Sequence, residues 1–413
     1  MNNRHQASRR GWMQPERPLL FAVLAGCHLP AFAQENISGV DLVASGGVET
    51  NPYNEANAPD VVGVANLEIR PFLTQSTDLA KFDLRGLVQV RQFTERYGLE
   101  DNYAVSGGMT ARTSDRVSIR ANARFSYVES GYGSSLASNT NVDPPIVTPV
   151  DPSIIDDVTL IGQRSRTTTV EASVGMDYQL SSRSVVSVDM SGRAMQFDSA
   201  GLGDYYYFID EIRYSNILSE KTTVGGVLQL SLTDYRGRSI GDAKTTNALI
   251  SVDQRFSERL TGSFSAGLAM TTINQGPGFP NRDRQTFTMQ ARLCRKGETN
   301  SFCVNWDNSP QPSANGGVRT MYSFGASYFQ QLSARERYSL SANYGQASGV
   351  NTPPISSPKV QYYGGAASYE NDFRENLTAF GRLSVNKIDQ DGASRRANVS
   401  FMAGVKFKFG APR

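Results

Sequence analysis

Between Val117 and Tyr127 every second residue is apolar: Val117, Ile119, Ala121, Ala123, Phe125 and Tyr127. Ser118, Arg120, Asn122 and Arg124 stand between them. The end of the chain repeats the pattern, with Phe401, Ala403, Val405, Phe407 and Phe409 on one face and Met402, Gly404, Lys406 and Lys408 on the other. The same period runs through Val224 to Leu232, Leu260 to Met270 and Leu377 to Val385. A period of two is that of a strand with one apolar and one polar face. After residue 33 the chain has no apolar run near the roughly 20 residues that a spanning helix needs. Its mean hydropathy is −0.38, which a barrel in lipid tolerates because alternate residues are polar. Composition alone leaves a secreted β-sandwich or β-helix open.

The connections favour the barrel. Short polar turns recur at Thr113–Arg116, Leu180–Arg183, Leu218–Lys221, Phe256–Arg259, Leu332–Arg335 and Phe373–Asn376, each leading into a new alternating run. Short side chains such as Ser suit tight turns because they bond the local backbone. Longer connections fall at the other strand ends, over 51–60, 94–101, 131–163, 236–242, 274–283 and 351–358. Short turns at one end and long loops at the other describe a bacterial outer-membrane barrel. The expected fold is all-β, a transmembrane antiparallel up-and-down barrel of about 18 strands, with about 16 as the alternative. The alternatives turn on one hairpin. Phe287, Met289, Ala291 and Leu293 alternate before Cys294, and Phe302, Val304 and Trp306 alternate after Cys303. If Cys294 opposes Cys303 in a disulfide, Leu293 opposes Val304 and Ala291 opposes Trp306, with both cysteines on the polar face. The hairpin either spans, giving the higher count, or decorates an outer loop. Tyr97, Tyr103, Tyr132, Tyr205, Tyr206, Tyr207, Tyr235, Tyr344, Tyr362 and Tyr363 fall near strand ends, where membrane interfaces favour tyrosine.

The first 33 residues read as a cleavable export signal. Arg4, Arg9, Arg10 and Arg17 precede the apolar run Leu19 to Leu29, and Ala31-Phe32-Ala33 forms a cleavage site before Gln34. Met13 could equally be the start. Ser8-Arg9-Arg10-Gly11-Trp12 faintly matches a twin-arginine signal, and Leu24-Ala25-Gly26-Cys27 a lipobox in which Cys27 is lipidated. Residues 34–413 are then one barrel in the outer membrane of a Gram-negative bacterium. Export leaves Cys294 and Cys303 as an even pair in an oxidising compartment.

Both histidines, His5 and His28, precede the cleavage site. Without histidine the mature chain lacks the side chain best suited to proton transfer near neutrality. No nucleophile elbow or metal-protease motif appears, so neither enzyme activity nor a cofactor or metal is expected. A carboxylate-only mechanism is the remaining catalytic route. A net charge of +2 gives no sign of a nucleic-acid partner. The polar faces are rich in cations: Arg70, Lys81, Arg85, Arg91, Arg112, Arg116, Arg120, Arg124, Arg193, Arg255, Arg292, Arg337, Arg382, Lys406 and Lys408. Acids there are Glu68, Asp83, Glu171, Asp177, Asp189 and Asp253. Arg85, Arg112, Arg116, Arg120, Arg124, Arg193, Arg255, Arg382, Lys406 and Lys408 are the candidate pore-lining set. They either make an electropositive channel or pair with acids and brace the wall. The acidic, proline-rich stretch 131–163 would be the third outer loop, folded inward against the Arg116–Arg124 ladder or lying over the mouth as a lid.

Ser45-Gly46-Gly47-Val48-Glu49-Thr50-Asn51-Pro52-Tyr53 resembles the opening strand of the β-barrel porin family associated with exopolysaccharide gene clusters. The closing strand, ending in Phe409 before four further residues, resembles the signal read by the barrel-assembly machinery. The family resemblance implies an outer-membrane channel exporting an exopolysaccharide, acidic if the cations draw it, and working with periplasmic export proteins. Two other functions fit the pattern: a passive diffusion porin for small solutes, and a structural or adhesive surface barrel.

Overall fold

In the computed structural model the described residues are 35–55, 61–130, 158–160, 164–199, 201–236, 241–274, 276, 280–348, 350–352, 355–390 and 393–410. The export signal with Cys27, and most of the third outer loop, lie outside them. The strands are β1 (Glu35–Glu49), β2 (Val62–Ser76), β3 (Ala80–Phe93), β4 (Leu99–Ser114), β5 (Val117–Ser130), β6 (Ser165–Gln179), β7 (Ser184–Phe197), β8 (Tyr205–Ser219) and β9 (Thr222–Tyr235). They continue as β10 (Ala243–Arg255), β11 (Leu260–Ile273), β12 (Arg282–Lys296), β13 (Asn300–Pro312), β14 (Val318–Gln331) and β15 (Glu336–Ala347). A small hairpin, β16 (Val350–Thr352) and β17 (Ile355–Ser357), stands outside the main sheet. The last strands are β18 (Val360–Arg374), β19 (Leu377–Gln390), the two-residue β20 (Ala393–Ser394) and β21 (Asn398–Phe409).

Each long strand pairs antiparallel with the one before it, and β21 returns to β1 from Val40↔Phe409 to Glu49↔Ser400. The result is a closed antiparallel barrel of 18 strands. The cysteine hairpin settles the count, because β12 pairs with β11 and β13 with β14 along their lengths. Cys294 and Cys303 oppose each other in the ladder and are bonded.

The recurring serine has a local cause. The Ser181 hydroxyl accepts from the amides of Arg183 and Ser184, each at 3.1 Å. Ser257 accepts from Arg259 and Leu260, and Ser333 from Arg335 and Glu336. One hydroxyl thus satisfies two amides that the turn frees from the ladder.

Opposed residues share a face, so parity carries around the whole barrel. The face bearing Leu228, Leu268, Phe287, Phe324 and Phe401 is exposed and apolar, as lipid requires. The tyrosines divide between the faces. Tyr103, Tyr206, Tyr344 and Tyr363 keep the outward position expected of an interface. Tyr205, Tyr207, Tyr235 and Tyr362 point inward instead, and Tyr97 is buried in a loop. Proximity to a strand end is not enough to predict orientation: in Tyr205-Tyr206-Tyr207 only the middle residue has the outward parity.

We expect Leu228→Arg on the outer face to cost roughly 2–4 kcal/mol near the bilayer midplane. Gln229→Arg, one residue on and facing inward, should cost much less. Equilibrium urea unfolding in lipid vesicles measures both, and equal costs would contradict the assignment of faces.

Candidate functional site: the lumen and its mouth

The ladder puts Arg85, Arg112, Arg120, Arg124, Arg193, Arg255, Arg382, Lys406 and Lys408 on the face opposite the apolar one. Arg116 is not on the wall. It forms the turn with Asp115 between β4 and β5, because the register shifts at Arg112/Ser114 and the chain reverses there. Arg85, Ser106, Arg124, Glu171 and Arg193 follow one another along a single inward row across five strands.

The same face holds more acid than the alternation pattern disclosed. Asp41, Glu49, Glu100, Glu211, Asp307 and Glu370 share it. So do the cations Arg213, Arg284 and Arg319. Glu49, Glu100, Arg284 and Arg319 lie near strand ends, where the alternation that assigns a face fades; Asp41, Glu211, Arg213, Asp307 and Glu370 lie within strands.

Several candidate cations are paired. Arg120 bonds Asp177 at 2.5 Å and Asp189 at 2.6 Å. Asp189 lies two strands away, and the path runs over Gly175, where a Cβ would collide with both Asp189 and Arg120. The glycine is what lets the guanidinium cross β6. Arg193 pairs with Glu171 at 3.3 Å, Arg337 with Glu370 and Asp372, and the buried Lys406 with Asp41 at 3.2 Å. Such pairs brace the wall. Arg124 makes no ion pair among the described residues.

At the mouth the loops turn inward. In the first, Asn51, Tyr53 and Asn54 are almost wholly buried. The Asn51 amide donates to Asn398 at 2.9 Å, the Asn51 side chain to the Arg396 carbonyl at 3.1 Å, and Asn54 to Asn386 at 2.9 Å. Residues 49–54 therefore stitch β1 to β19 and β21 across the closing seam. Asn54 adopts a positive φ of 51°, a conformation asparagine tolerates better than most residues. Tyr53 donates to Glu100, and Arg164 lies over its ring at 5.2 Å while pairing with Glu100 and Glu129. Burial, and then the charge of Glu100, push the Tyr53 hydroxyl well above the ordinary tyrosine range.

The turn between β13 and β14 also folds inward, to the upper ends of β7–β9 four to six strands away around the wall. The Tyr235 hydroxyl shares its one proton between the carbonyls of Ser313 at 2.7 Å and Gly317 at 2.8 Å, and the Gly203 amide donates to the Ala314 carbonyl at 2.7 Å. Leu160, at the end of the third outer loop, packs with Met195, Leu202, Tyr205, Tyr235 and Ala314. Its neighbour Thr159 lies 3.1 Å from the Ser313 hydroxyl, and this short 3-10 turn also touches β15 and β18. The described end of that loop is thus inside the barrel, but against β7–β9 and β13–β18 rather than against the arginine ladder. Its acidic part, including Asp143, Asp151, Asp156 and Asp157, lies outside the described residues. Among the described residues no group of three or more His, Cys, Asp or Glu side chains is placed to hold a metal ion.

No protein-family model matches the chain, and no curated protein does. Among solved structures it is similar to OpdK of Pseudomonas aeruginosa, an outer membrane protein, at 11% identity and a TM-score of 0.47, covering 92% of this chain and 100% of that one. OccK2 (OpdF) of Pseudomonas aeruginosa, solved in complex with glucuronate, matches at 10% identity and a TM-score of 0.46, covering 92% and 99%. OccAB4 of Acinetobacter baumannii matches at 9% identity and a TM-score of 0.45, covering 92% and 100%.

Arg120 and Arg124, four residues apart on β5, should respond differently to charge reversal. Arg124→Glu should leave folding intact and move the reversal potential in a salt gradient toward cation preference. Arg120→Glu gathers three carboxylates and should destabilise the barrel, read as a lower temperature for loss of the compact form on gels. Equal behaviour of the two variants would refute the division between a bracing and a solvent-facing arginine.

Proposed function

We propose that the chain is a passive outer-membrane channel for small polar solutes, with a preference for anions. The observation that carries this reading is the infolded β13–β14 turn, bonded to Tyr235 at the end of β9 and to Gly203 between β7 and β8, four to six strands away around the wall. A closed barrel with an apolar exterior and a polar interior crosses lipid and leaves an aqueous path. The turn narrows that path near the long-loop end. The inward row across β3–β7 holds Arg85, Arg124 and Arg193 against the single acid Glu171, and an excess of cations on the lumen face raises the local concentration of anions.

The narrowing weighs against the exopolysaccharide exporter that the Ser45–Tyr53 resemblance implies. A sugar polymer needs a continuous wide passage, and here a bonded turn fills part of the mouth. The inferred location is the outer membrane, reached behind a cleaved signal and through the barrel-assembly machinery.

Replacing residues 313–317 by a two-residue Asn-Gly turn, which suits a tight hairpin, removes the bridge to Tyr235. Single-channel conductance in planar bilayers should be small in the native protein and rise several-fold in the shortened one. Unchanged conductance in a correctly folded variant would show that the turn does not limit the path. No conductance from either protein would refute the channel.

A further inference from the structure

The barrel wall is not equally closed at every seam. β12 and β13 are joined from Lys296↔Ser301 up to Met289↔Asn308, and among the described residues the ladder between them stops there. Both strands continue beyond that point. β12 stays paired with β11 as far as Ile273↔Arg282, and β13 with β14 as far as Pro312↔Val318.

The sequence explains the break. Cys294 and Cys303 have Cα atoms 4.2 Å apart, the spacing of a non-hydrogen-bonded pair. The even-numbered residues of β13 therefore direct their backbone groups toward β12. Residues 310 and 312 are even, and both are proline, which has no N–H to give. The loss falls wholly on the β12 side and leaves the β14 side intact. The carbonyl of Phe287 would have received the amide of residue 310, and the side chain of Asn308 donates to it instead, at 2.8 Å. β13 approaches β11, and the turn that follows it is anchored on Tyr235. The disulfide rivets the same seam below the break.

The stretch of seam without backbone bonds lies beside apolar surface. Phe287 and Met270 on the outer face are 55% and 58% exposed. Inside, Arg284, Thr286 and Thr288 line the β12 lip, and Ser309 and Gln311 the β13 lip. Arg284 makes no ion pair among the described residues. An added strand from another protein is a poor occupant, since two donors are missing from the β13 edge. A molecule with a chain soluble in lipid and a charged head fits both sides of the opening.

We propose that the β12–β13 seam is a lateral portal through which an anionic amphiphile moves between the lumen and the bilayer. Its acyl chain stays in lipid past Phe287 while its head group meets Arg284 inside. This is independent of whether small solutes pass along the barrel axis.

The test places a photo-crosslinking residue at Thr286, and separately at Gln229, which faces inward between complete ladders. The protein is reconstituted in phosphatidylcholine vesicles carrying labelled phosphatidylglycerol in one arm and labelled lipid A in the other. Adducts are expected at Thr286 and not at Gln229, and the arm that labels identifies the source of the amphiphile. Pro310→Val with Pro312→Thr restores both donors and should abolish the adduct while keeping the disulfide and the compact gel form. Backbone hydrogen exchange of the native protein gives a reading that needs no variant: the amides of Gln285 and Phe287 should exchange fast and those of Ala291 and Leu293 slowly. No adduct at Thr286 in either arm, an adduct that persists in the zipped variant, or equal protection of the four amides would overturn the portal.

Discussion

Everything in this barrel depends on a backbone constraint. Inside a bilayer no water is present to satisfy an amide or a carbonyl, so a sheet can cross only if its edges are paired with each other or turned to a water-filled lumen. The pairing of β21 with β1 meets that requirement, and the parity it enforces decides which side chain sees lipid and which sees the lumen. The motif at residues 49–54 reinforces the closure, since Asn51 and Asn54 bond to Asn398 and Asn386 across it. Those two asparagines do work that strand pairing cannot, because the ladder between first and last strand ends where the loops begin.

Strand identity was legible because lipid leaves a period-two imprint on each strand. The register of the cysteine hairpin was legible for a different reason: opposed cysteines fix it, and Leu293↔Val304 and Ala291↔Trp306 then fall into place. The choice between about 18 and about 16 strands rested on the pairing of this hairpin with β11 and β14. The candidate arginines within strands could be assigned to a face by the same parity, and Arg116 could not, because turns have no parity. What stayed hidden was long-range contact. Nothing near Tyr235 in sequence says that its hydroxyl meets residues 313 and 317. Nothing near Arg120 announces Asp189, and the local hint was a glycine at position 175, which in sequence reads as a strand residue like any other.

The charge of the lumen shows why a face assignment is not yet a function. Arg120 and Arg124 share a strand and a face, and one is held by two aspartates while the other makes no ion pair among the described residues. A cation held between carboxylates adds little net charge to the water beside it, so selectivity depends on those left over. Counting arginines overstates the field, and the acids paired with them on the same face are the correction.

The open seam and the constriction have one origin. A hairpin whose prolines surrender the bonds on one side is no longer tied to the wall there, and its tip can be drawn inward by whatever bonds it finds. Here it finds Tyr235, Gly203 and Thr159. The donors that Pro310 and Pro312 lack are the reason β13 can leave β12, and the bonds to Tyr235 are the reason it does not return. Narrowing of the axial path and opening of the lateral one are therefore coupled in a single element. Restoring the ladder would pull the tip toward the wall and widen the axis as it closes the side. The disulfide at Cys294 and Cys303, placed below the last rung that survives, confines the separation to the upper part of the seam.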